Sequence, residues 1–174
     1  MKKALKLLGF FYLLMVFLLP ISGPLLGREI FTVDKRFTTD DGLSQNSIYA
    51  MVQDREGFLW LGTDHGLNIF DNYGFRAILM DSSQKNSLWY NIIKSLYVDG
   101  DGDIWVGTSK GLNFYDFAHR SMVRNLFDKP VNGNVFVINE YKRGHFLIGT
   151  SDGLISFRKG DLQYRKIHVD GEVK

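Results

Sequence analysis

Asp99, Asp101 and Asp103 alternate with glycine in DGDGDIWVGTSK, the spacing that opens a calcium loop, where carboxylates at the first, third and fifth places ligate the ion. The rest of such a loop is missing. Its sixth place is Ile104 where glycine is needed, and its twelfth is Lys110 where a bidentate glutamate is needed. The stretch therefore reads as a hairpin turn. His65, His119, His145 and His168 share no ligand spacing, and the chain has no cysteine, so neither a metal nor a cofactor is expected. Ser44 and Ser47 lack a local nucleophile signature. Asp40 and Asp41 are neighbours whose side chains would point apart on a strand, which suits a solvated turn better than acid–base work. No catalytic residue is assigned.

Binding chemistry is better represented. Trp89 and Tyr90 stand beside Asn86, Ser87 and Asn91, and a flat aromatic flanked by amides suits the apolar face and hydroxyls of a sugar. The competing reading is that both rings pack beneath a neighbouring structural unit.

The elements that position these residues are written three times. Asp54–Asp71 (DREGFLWLGTDHGLNIFD) returns at Asp99–Asp116 (DGDGDIWVGTSKGLNFYD) and, more loosely, at Tyr141–Arg158 (YKRGHFLIGTSDGLISFR). Gly62 and Gly107 are 45 residues apart, and Gly107 and Gly149 are 42 apart. A period in this range without helical patterning indicates stacked sheet units. Each copy reads as strand, turn, strand, turn, strand. Gly57, Gly102 and Gly144 close the first turn, and Gly66, Gly111 and Gly153 close the second. Gly62, Gly107 and Gly149 instead interrupt a strand, each followed by Thr63, Thr108 or Thr150, and mark close approach of another backbone. The middle strand is apolar at nearly every place, as in Phe58, Leu59, Trp60 and Leu61, so it is expected to be buried on both faces. Trp60 and Trp105 fill one slot in two copies, Leu147 fills it in the third, and core packing explains them. Both-face burial predicts sheets packed on sheets, as in a β-propeller.

These three copies, with the lead-in Asp41, Gly42, Leu43, Ser44, Gln45 and Asn46, resemble the two-component regulator propeller repeat of bacterial hybrid sensor proteins, especially those of gut Bacteroidetes. The resemblance covers nearly all of the chain after its leader. It implies a periplasmic sensing segment that, in a whole protein, recognises a ligand such as a glycan fragment and biases a histidine kinase across the membrane. The kinase and receiver of such proteins are absent from these 174 residues, so no enzymatic activity is expected of them. Family repeats usually carry small or polar residues where Trp89 and Tyr90 stand. The turn and tryptophan also resemble the aspartate box of sialidase propellers, but Phe58, Leu59 and Ile104 depart from that pattern.

Lys2, Lys3 and Lys6 precede thirteen uncharged residues, Leu7–Leu19, in the layout of a secretory signal peptide. The cleavage site is poor, and Leu7–Leu26 is long enough to span a bilayer, so residues 1–27 are read as a signal peptide or an uncleaved membrane anchor helix. Either form exports the repeats to the periplasm. Beyond the leader, 18 basic residues face 19 acidic ones, which gives no reason to expect nucleic-acid binding.

The expected fold is all-β, a partial propeller of about three four-stranded antiparallel blades. Residues 28–46 hold the lone strand Glu29–Thr39 and the lead-in, followed by blades over 47–90, 91–133 and 134–174. Closed propellers typically have about four to eight blades, so the missing neighbours are expected from a longer parent chain or from other protomers. Three functional classes fit this reading: a sensor segment that binds an oligosaccharide, a secreted propeller enzyme acting on polysaccharide, and an oligomeric adhesion or scaffold module.

Overall fold

The computed structural model describes residues 35–84, 86–124 and 126–167. All but Lys35 belong to one compact unit that begins at Arg36. The leader and most of the expected lone strand lie outside the described residues. Residues 35–38 are irregular, and Thr39–Asp41 form a 3-10 turn capped by Thr38, so the described end of that stretch is not a strand. No helix among the described residues is long and apolar enough to cross a membrane.

Twelve strands follow among the described residues. β1 (Ile48–Gln53), β2 (Leu59–Thr63), β3 (Gly66–Phe70) and β4 (Phe75–Ile78) form one antiparallel sheet in that order. β5 (Ile93–Val98), β6 (Ile104–Thr108), β7 (Gly111–Asp116) and β8 (Ser121–Val123) form the second. β9 (Val135–Lys142), β10 (His145–Thr150), β11 (Gly153–Arg158) and β12 (Arg165–Ile167) form the third. The up-and-down order puts the turns after the second strand and the links between sheets at one end, the upper. Turns after the first and third strands lie at the lower end. Glycine at the six hairpin places takes the left-handed backbone these turns require, with φ between +72° and +141°.

The sheets stack face to face. Trp60, Leu67 and Ile69 of the first pack with Ile93, Ile104, Val106, Phe117 and Met122 of the second. Trp105 and Leu112 of the second pack with Val135, Phe146, Ile148, Ile155 and Phe157 of the third. The strand glycines allow this approach. A Cβ on Gly62 would lie 2.5 Å from Ile93 Cγ2, and one on Gly107 would lie 2.2 Å from Ser95 Oγ and 2.7 Å from the Val135 carbonyl. At Gly149 the nearest atom would be Val137 of its own sheet, at 3.5 Å. Both-face burial holds for β6, which is buried throughout, whereas β10 is buried only at Phe146 and Ile148, on the face toward the second sheet.

Candidate functional site

Two matched turns at the lower end hold the tryptophans by charge. Asp54 Oδ1 accepts the backbone N–H groups of Glu56 and Phe58, both at 2.9 Å, and Asp99 Oδ1 accepts those of Asp101 and Asp103 at 2.9 and 3.0 Å. The other carboxylate oxygen reaches the indole. Trp60 Nε1 donates to Asp54 Oδ2 at 2.7 Å and Trp105 Nε1 donates to Asp99 Oδ2 at 2.9 Å. Each buried indole N–H therefore has a partner, and each buried carboxylate is multiply hydrogen-bonded. Sequence reasoning missed this lock, although its signal was present: where Trp gives way to Leu147, the matched Asp gives way to Tyr141.

The acidic triplet is occupied by a side chain of the next sheet. Lys159 Nζ donates to Asp99 and Asp103 at 2.7 Å each and to Asp101 at 3.1 Å. Burial alone would lower its pKa, but bonds to Asp103, Asp99 and Asp101 overcome that and raise it above the ordinary lysine value. Bonds from Arg143 and Lys159 lower the pKa of Asp101. The matching place between the first two sheets is filled by Phe117, with the Arg55 guanidinium 4.3 Å over its ring. Lys159 instead lines a groove of about 360 Å³ with Trp105, Phe114, Phe127, Phe157 and Asp161.

At the upper end, Thr63, Thr108 and Thr150 each donate from the hydroxyl to the carbonyl of the following turn glycine, at 3.0, 2.9 and 2.7 Å. The outward groups at this end come from two of these turns and from the starts of β1 and β5. Tyr49 OH donates to Asp64 at 2.8 Å, and Lys94 Nζ lies 3.8 Å from the same carboxylate and 4.6 Å from the Tyr49 ring centre. The bond to Asp64 raises the Tyr49 pKa. Lys110 Nζ sits 4.3 Å over the Tyr90 ring. This face thus pairs two phenols with two ammonium groups and one carboxylate.

Of the four residues proposed for ligand contact, Tyr90 is half-buried under Lys110 and Asn86 is exposed. Asn91 ties the first sheet to the second: its Oδ1 accepts from Met80 N–H at 2.6 Å and its carbonyl accepts from Gly66 N–H at 2.8 Å. The half-buried Trp89 ring packs over Gly111, its Cδ1 3.2 Å from where a Cβ would be. The space beside it, lined by Leu112 and Val131, is about 10 Å³, room for no more than a water molecule. Trp89 stands where the first sheet has Ser44. There Asn68 Oδ1 accepts from Ser44 N–H and its Nδ2 donates to Ser44 Oγ. Asn113 still accepts from the Trp89 N–H at 3.1 Å, but its buried Nδ2 has no acceptor among the described residues.

The two component regulator propeller family matches this chain at residues 42–65 and 87–110, each a lead-in, first strand, aspartate turn and middle strand. Histidine kinase P4 of Formosa agariphila is 43% identical over 56 residues, 32% of this chain and 4% of that protein. Among solved structures, the extracellular domain of the B. thetaiotaomicron system BT3049, described as a hybrid two component system, matches with a TM-score of 0.51 at 18% identity. That match covers 79% of this chain and 26% of the solved one. The extracellular domain of BT4673 from the same organism, described as a one component system, gives a TM-score of 0.56 at 22% identity, covering 74% of this chain and 20% of that one. The chain therefore spans only a small part of the relatives it matches, and the solved structures show a likeness of fold alone. Over residues 42–65 and 87–110 the chain is thus similar to the two component regulator propeller family.

Proposed function

We propose that this chain is part of the extracytoplasmic sensing region of a two-component-type regulator, and that its upper face contributes to recognition of a glycan fragment. The observation that carries the sensing role is the pair of family repeats at residues 42–65 and 87–110, on sheets that stack on each other. The relatives that share the repeat or the fold are described as a histidine kinase and as extracellular domains of two component and one component systems. The basic, exported layout of residues 1–27 supports a periplasmic or membrane-anchored setting. For the ligand, Tyr90 under Lys110, with Tyr49, Asp64 and Lys94 at the same end of the sheets, offers aromatic surface and hydroxyl-binding charges, with Asn86, Trp89 and Asn91 in the same link as Tyr90.

An antibody against residues 28–174, used on membranes of the source cells, tests the sensing role. A native band far larger than 20.0 kDa is expected, and a band at or below that mass would overturn it. Calorimetric titration of the native protein with an oligosaccharide series tests the ligand. Tyr90→Ala and Lys110→Ala should each weaken binding at least tenfold, and unchanged affinity would remove the upper face from the reading.

A further inference from the structure

The outward face of the third sheet is chemically unlike the two faces that precede it. In the second sheet a cross-strand row of Tyr97, Trp105 and Phe114 meets the third sheet. The matched row in the third sheet is Asn139, Leu147 and Ser156, joined in the same register. The lower rim changes as well. Asp99, Asp103 and Asp116 are replaced by Tyr141, His145 and Arg158, with His145 and Arg158 directly paired across the strands. Arg143, in the slot of Glu56 and Asp101, also reverses the sign and reaches back to Asp101 at 2.7 Å.

In the ion pairs that cross the two interfaces, the earlier sheet supplies the carboxylate and the later one the cation. Arg120 meets Glu56 at 3.1 Å, while Arg143 and Lys159 meet the aspartates. The third sheet offers the opposite charge to whatever lies on it. Its face is exposed, with Val137 58% and Tyr141 55% accessible. Arg158 makes no ion pair among the described residues.

We propose that this face docks another antiparallel sheet whose lower rim carries carboxylates toward Arg158 and His145, reversing the polarity of the preceding interfaces. Continuity with the two stacked interfaces argues for a sheet, and charge complementarity argues for the acids. A second copy of this chain does not fit. Its first sheet would bring Gln53, Asn72 and Phe75 to the places that Glu140, Lys159 and Arg120 take in the existing interfaces, and none of the three is acidic. The inference stands apart from the sensing role, because it concerns only what covers the third sheet.

A photo-crosslinking amino acid at Val137 in the native protein, activated in the source cells, reads the occupant by mass spectrometry of the joined peptide. The expected product is a strand-forming peptide with aspartate or glutamate near the joined residue. Arg158→Glu should lower the yield at least fivefold, Arg158→Lys should keep it, and Arg158→Gln serves if the reversed charge prevents folding. Products joined to a sugar, to lipid, to residues 168–174 or to a second copy would overturn the proposal. So would a peptide without acids, a yield indifferent to Arg158, or no product.

Discussion

Lys159 provides the sharpest test of how the second and third sheets are held. Its side chain is 23% exposed, and the ammonium group bonds at 2.7 Å to Asp99, whose side chain is fully buried, and to Asp103, whose side chain is 16% exposed. Removing one partner of a buried ion pair typically costs about 3–5 kcal/mol, because the remaining charge stays desolvated and unneutralised. Solvent at Lys159 and at the 45%-exposed Asp101 screens part of this, so Lys159→Ala should cost about 2–3 kcal/mol. Arg120→Ala is the internal control: its partner Glu56 is 38% exposed and it is itself 71% exposed, which predicts a loss of about 0–1 kcal/mol. Urea denaturation of the purified protein followed by tryptophan fluorescence measures both, since the Trp105 indole shares the Asp99 carboxylate. Equal losses for the two variants would refute the argument that this ammonium, rather than apolar contact alone, holds the interface.

Trp60→Phe and Trp105→Phe keep the apolar contact but strand a carboxylate lone pair, and each should cost about 1.5–3 kcal/mol by the same assay. Gly107→Ala should destabilise by about 1–3 kcal/mol, because Ser95 and the Val135 backbone occupy the space. The pH profile follows from Lys159 and Asp101. The raised Lys159 pKa gives stability that is complete below the unfolded lysine value of about 10.4 and lost as pH rises through the folded value. Asp101, lowered, gives stability present above about pH 3.9 and lost as pH falls through its folded value. Denaturation midpoints measured from pH 3 to 11 should therefore fall at both ends, and Lys159→Met should remove the alkaline fall that Lys159 contributes.

Strand placement was legible because apolar and glycine spacing are local properties. The middle strand of the first copy begins at Leu59, one residue after the apolar run opens at Phe58. The acidic triplet was read correctly as a turn. Its occupant was invisible because Lys159 lies 56 residues beyond Asp103 and meets it only when the sheets stack. Trp89 was ambiguous for the same reason: its side chain reads as a sugar platform or as packing until Gly111 is placed beneath it.

Repeat period, all-β class, turn glycines and stacking of apolar faces were determined by the sequence alone, since each depends on residues a few positions apart and on their recurrence. The indole–carboxylate locks, the Lys159 pin, the pairing of Tyr90 with Lys110 and the open face of the third sheet were decided only by tertiary structure. These depend on burial and on distances between side chains remote in the chain, and such distances are set when one sheet closes over the next.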